Sequence, residues 1–226
     1  AWEYLIMAAN EGKKDLWICI PHQADDTYIR KLARLCKYGS DGREPYKSKV
    51  EKPVFPPLDP ELNLYVEYSN EIWNYQFSQT AWCREQGKSY GHPLNFDGES
   101  DETTLMFRFK AMRSVEMSLI FRSVFGDKEM MSRVRPVICW QQGYEDLINR
   151  TLSFVDRYYG GRDSRSDYGK PQDVKTKTIE MEGEIVTITR SLSYGAVEPV
   201  NYFFYGGGGT GYWYSDGKTT LTEDTI

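Results

Sequence analysis

The stretch Leu64-Tyr65-Val66-Glu67-Tyr68-Ser69-Asn70-Glu71-Ile72-Trp73-Asn74 carries the pattern that decides the fold. Its opening is rich in Leu, Tyr and Val, as a buried strand requires, and it then breaks into polar side chains. Buried strands with polar residues at their C-terminal ends mark parallel α/β enzymes, whose working groups sit where strands give way to loops. The pattern recurs along the chain. LWICIP at 16–21 exits into His22, RVRPVICW at 133–140 into Gln141 and Gln142, and PVNYFFY at 199–205 into the aromatic-rich loop GGGGTGYWYSDG.

Helical spacing fills the intervals. Trp2, Leu5, Ile6 and Ala9 lie on one face of an opening helix that Gly12 should end. Asp25 and Asp26 occupy capping positions ahead of a helix whose apolar face is Tyr28, Ile29, Leu32 and Leu35, closed by Gly39. Further helices are predicted at roughly 75–86, about 103–125 and 144–158, and the Pro-rich segment 40–61 reads as loop. Residues 160–196 interrupt this rhythm as an insertion, with a β-hairpin at 176–190 turning about Glu182-Gly183.

Strands alternating with helices predict an α/β protein with a parallel sheet, either a (β/α)8 TIM-like barrel or a doubly wound sheet. No GxGxxG motif opens a helix after a strand, and the glycines at 206–209 lack a following Lys-Ser/Thr, so phosphate binding is not expected there. A complete barrel takes about 250 residues. With only four strands of this type visible, residues 1–226 are expected to be part of a larger barrel, about four βα units with the hairpin inserted.

Composition narrows the partners. The chain has 28 Lys plus Arg against 33 Asp plus Glu, a formal charge of -5, and so carries no electrostatic footprint for nucleic acid or an anionic membrane. No apolar run approaches the roughly 20 residues of a membrane helix, and no signal peptide is visible in a sequence that opens on Ala1 inside a helix. Two histidines and four scattered cysteines leave little from which to build a zinc site, so no metal and no cofactor are expected. The 17 Tyr, 10 Phe and 6 Trp supply flat amphipathic rings suited to core packing or to stacking on sugars.

If residues 64–70 form a barrel strand, Asn70 and Glu71 stand at its C-terminal lip. A carboxylic acid there can protonate a leaving oxygen, an adjacent amide can hold a sugar hydroxyl, and Trp73 can offer a stacking ring. The plain alternative is that Asn70 and Glu71 cap the following helix. His22 shares the lip and can donate to a hydroxyl, or can pair with Asp25 or Asp26. Gln141 and Tyr205 are lip residues of suitable chemistry, and Tyr212 and Trp213 can form a wall. Glu67 lies about 13 Å below Glu71 at roughly 3.3 Å per residue. Retaining glycosidases place their two carboxyls about 5 Å apart, so Glu67 is expected to be a buried structural carboxylate. Glu198 enters its strand at the opposite end, and Asp216 in the exit loop is the remaining internal candidate.

The runs WICIPHQADDTYIRKLARL and LYVEYSNEIWNYQFSQTAW resemble a group of large secreted bacterial proteins with a glycoside-hydrolase-like barrel, often described as cellulose-binding-domain proteins. The resemblance extends to RPVICWQ and VNYFFYGGGGTGYW, most of the chain outside the hairpin. It implies that Asn70-Glu71 is the Asn-Glu at the end of the fourth strand of retaining barrel glycosidases, with Glu71 as acid/base and Asn70 on the 2-hydroxyl. The strands near 16, 64, 135 and 199 would be the third to sixth, and the nucleophile would fall beyond Ile226, leaving the chain by itself catalytically silent. His22, Trp73, Gln141, Tyr205 and Trp213 would line the cleft. The partner would be a polysaccharide or oligosaccharide, the location extracellular or cell-surface, and further carbohydrate-binding domains would accompany the barrel. A non-catalytic glycan-binding barrel is the alternative.

Overall fold

The computed structural model describes residues 1–91, 94–141, 144–159, 175–181, 184–190 and 206–210. Helix α1 (Trp2–Gly12) buries Ile6 and Ala9. It ends at Gly12, as the sequence suggests. Lys13 takes the left-handed position at φ 50°, and its ammonium reaches Asp59 at 2.7 Å. Strand β1 (Leu16–Ile20) turns Leu16, Ile18 and Ile20 inward. Helix α2 (Asp26–Tyr38) starts where Asp25 accepts the Tyr28 amide at 2.7 Å and ends at Gly39. A Cβ on Gly39 would meet the Phe55 carbonyl at 2.1 Å, so the loop of residues 40–61 folds back against this helix end.

After β2 (Leu64–Tyr68) comes α3 (Ser78–Tyr90), starting three residues later than the apolar spacing predicts because turns occupy the intervening segment. Helix α4 (Glu102–Phe125) is capped by Asp101, which accepts the Thr104 amide at 2.8 Å. It packs against α2, α3 and α6 and on β2 and β3, and its apolar residues point in every direction accordingly. A short α5 (Asp127–Ser132) leads into β3 (Val134–Gln141), followed by α6 (Glu145–Tyr159).

Beyond α6, β4 (Lys175–Met181) and β5 (Glu184–Arg190) pair antiparallel from Lys175 opposite Arg190 to Met181 opposite Glu184, as the hairpin reading requires. Strand β6 (Gly206–Thr210) corrects one expectation. This glycine run, an exit loop by its composition, pairs in parallel with β3 from Val137–Gly206 to Gln141–Thr210. Glycine has little intrinsic preference for strand, so the pairing comes from the backbone groups of the neighbouring β3. The predicted strand at 199–205 lies outside the described residues.

The four strands form a parallel sheet in the order β1-β2-β3-β6, which follows the chain. Parallel crossovers are right-handed, so a strand order that never reverses puts successive helices on one face. A doubly wound sheet would reverse its order. The chain is a mixed α/β protein with a parallel sheet whose strand order follows the chain. Leu16, Ile18 and Ile20 of β1 and Leu64, Val66 and Tyr68 of β2 are buried on one face. On the other, Trp17 and Tyr65 stack at 5.4 Å and Cys19 lies beside Glu67.

Helices α3 and α4 cross closely at Gly87, where an added Cβ would stand 2.7 Å from the Leu105 carbonyl carbon and oxygen. Alanine is normally the better helix former by about 1 kcal/mol. Here the neighbour is backbone and cannot rotate away, so Gly87→Ala is expected to destabilise by about 1–3 kcal/mol. An unchanged or raised urea midpoint would show that the helices can separate.

Candidate functional site

The site is built on the end of β2. Ser69 donates its amide to the Ile20 carbonyl at 2.8 Å, extending the β1–β2 ladder, and the chain then turns sharply. Ser69 at φ 60° and Glu71 at φ 45° are both left-handed non-glycine residues on either side of Asn70. Each such residue costs on the order of 1–3 kcal/mol, and such strain gathers at functional sites. The turn is pinned by the Asn74 amide donating to the Glu71 carbonyl at 2.8 Å and by Gln79 Nε2 donating to the Asn70 carbonyl at 2.9 Å. Ile72 and Trp73 anchor it from below. The outcome is an exposed Asn70 side chain and a half-buried Glu71 carboxylate that accepts from Asn74 Nδ2 at 3.2 Å. Helix capping does not explain the pair, because α3 begins at Ser78 with Phe77 in the cap position.

His22 stands at the neighbouring exit of β1. Its carbonyl accepts the Tyr68 hydroxyl at 2.6 Å, and its ring meets Trp82 edge-on at 5.4 Å and Gln23 Nε2 at 3.3 Å. Asp25 caps α2 through one oxygen, and Asp26 pairs with Arg113 at 2.9 Å. Burial pulls the His22 imidazole below the ordinary histidine pKa, which keeps it neutral at pH 7. Gln141, half-buried, ends β3 on the other side of β2. The exits of β1, β2 and β3 thus bring His22, Asn70, Glu71 and Gln141 to one end of the sheet. Trp73, expected to be a stacking platform, is instead 5% exposed, with its ring 5.2 Å from Lys110 Nζ. In this position it supports the turn from beneath. Tyr205, Tyr212, Trp213, Glu198 and Asp216 lie outside the described residues.

No family model, curated protein or solved structure matches the chain.

Glu67, 5% exposed, accepts from Trp17 Nε1 at 3.2 Å and Cys19 Sγ at 3.6 Å. Lys110 of α4, 1% exposed, donates to the Cys139 carbonyl and faces the Trp73 ring. Burial raises the Glu67 carboxyl and brings the Lys110 ammonium down to about 8, while their mutual attraction opposes both shifts. Sequence reading missed Lys110. The available signal was the apolar residues on every side of α4, which imply that a charge within this helix is buried and needs partners.

Because the folded Lys110 releases its proton near pH 8 and an ordinary lysine near 10.5, the unfolded chain binds more protons between those values. Stability from this group therefore rises with pH across that window, by on the order of 3 kcal/mol. The thiols of Cys19, Cys36 and Cys83, pushed up to about 12 by burial, act in the opposite direction above pH 9. The test is thus the stability of the wild type minus that of Lys110→Met. This difference should climb between pH 8 and 10.5 in urea titrations, and a flat difference would contradict the assignment.

Among the described residues no group of three or more His, Cys, Asp or Glu could hold a metal ion, and no helix is long and apolar enough to cross a membrane. All four cysteines are free thiols. The three with raised pKa values are poor nucleophiles at neutral pH. What the lip offers is one half-buried carboxyl with an amide on each side and a neutral imidazole close by, a set able to donate and accept hydrogen bonds and to transfer one proton.

Proposed function

We propose that the chain is an arc of a (β/α)8 barrel of the glycoside hydrolase type and that its lip engages a polysaccharide or oligosaccharide. The observation that carries this reading is the placing of Asn70-Glu71 on a strained turn at the C-terminal end of a central parallel strand, between the exits of β1 and β3. Barrel enzymes keep their catalytic groups at this end.

In this role Glu71 donates its proton to the glycosidic oxygen as the bond from the anomeric carbon to that oxygen breaks. The leaving sugar departs as an alcohol, and the carboxylate left behind can accept a proton from water in the following step. Asn70 and His22 hold ring hydroxyls, and Gln141 borders the cleft. Glu67 is committed to Trp17 and Cys19 beneath the lip, so the second carboxylate of the reaction is assigned to a further strand of the barrel. A polysaccharide substrate agrees with an extracellular or cell-surface location.

The test is release of reducing ends from a panel of β-linked glycans by the intact protein. Cleavage lost on Glu71→Gln supports the catalytic reading. Retention in affinity electrophoresis without cleavage would instead favour a glycan-binding barrel.

A further inference from the structure

A recess lies beside the lip, on the helix side of His22. It is an open groove of about 310 Å³ between the β1–α2 connection, α3 and α4. One wall is aromatic: Trp82 and the 43% exposed Tyr90 stand around Phe109, with ring centroids 5.6 and 6.0 Å from it. Trp82 also touches the His22 ring, so the groove and the lip share a wall.

The lining is also acidic. Asp25, Asp26 and Glu116 line the groove against a single cation, Arg113. That guanidinium is engaged by Asp26 at 2.9 Å, by Glu116, and by the Ala24 carbonyl at 3.1 Å, which leaves little for an anionic ligand. Asp25 is exposed and uses one oxygen for the Tyr28 amide. The side-chain amides of Gln23 and Gln86 complete the polar lining.

Aromatic faces attract apolar C–H surfaces and cations alike, and carboxylates favour a positive charge beside them. A neutral sugar ring would use the aromatic rings alone, whereas a ring bearing an ammonium would use the carboxylates as well. We infer that this groove is a binding site for a protonated amino-sugar unit, so that the glycan engaged at the lip is one carrying free amino groups. The inference rests on the glycan reading of the lip and adds to it a substrate class and a second point of attachment. The chain's net charge of -5 favours the approach of such a polycation.

The experiment is calorimetric titration of the intact protein with a glucosamine tetramer and with its fully N-acetylated counterpart. The glucosamine tetramer should bind more tightly, and added salt should narrow the gap. Asp25→Asn keeps a good helix cap while removing the charge, and should weaken the glucosamine tetramer about two- to fivefold without altering the N-acetylated one. Tyr90→Ala should weaken the glucosamine tetramer too. Equal affinity for both tetramers, or binding indifferent to Asp25→Asn and Tyr90→Ala, overturns the inference. If neutral glycans still bind and Asn70→Ala removes them, the lip reading survives that failure. If no glycan of either kind binds, both fall.

Discussion

Glu71→Gln is expected to lower glycan cleavage by the intact protein about 100- to 10,000-fold, the usual contribution of acid/base assistance, while leaving glycan binding nearly intact. Glutamine preserves the shape of the side chain and can hydrogen-bond, but it has no proton to give to the leaving oxygen. Substrates with good leaving groups need less protonation and should lose less. That pattern separates a missing acid from a misfolded turn, which would depress all substrates and binding together. Asn70→Ala should instead weaken binding, because the exposed amide is assigned to a hydroxyl. If Glu71→Gln leaves rates unchanged across the panel, the acid lies elsewhere.

Arg113→Met is expected to cost about 3–5 kcal/mol of stability at neutral pH, the range seen when one partner of a buried ionic group is removed. Arg113 holds two carboxylates from different helices, Asp26 at 2.9 Å and Glu116 within its own helix, with side-chain exposures of 13% and 3%. Methionine fills similar volume but leaves Asp26 and Glu116 without this guanidinium and the Ala24 carbonyl without its donor. Adding Glu116→Gln to Arg113→Met should restore part of the lost stability. A urea midpoint within error of the wild type would show that other groups can hold the α2–α4 contact.

Much of this arrangement can be read locally. The apolar run before Ser69, the polar burst after it and the caps at Asp25 and Asp101 each announce an element within a few residues, because burial and capping leave local marks. Asn70, Glu71, His22 and Gln141 can be placed at one end of the sheet for the same reason, since strand exits in a parallel sheet share a face. Three features escape such reading. Strand β6 is made by the edge of β3 rather than by its own glycines. Trp73 looks like a platform in sequence but sits over a lysine 37 residues away. Lys110 and Arg113 sit in a long helix whose neighbours only the tertiary fold supplies, so their partners at Cys139, Trp73, Asp26 and Ala24 leave no trace in local spacing.

Hydrogen–deuterium exchange of the intact protein, with and without a bound β-linked oligosaccharide, tests the central claim most directly. The account predicts protection at the strand exits, in residues 20–24, 69–74 and 140–141, and none at the opposite strand ends near Leu16, Leu64 and Val134. Protection confined to those opposite ends, or no protection at the exits while the oligosaccharide is bound, would contradict it.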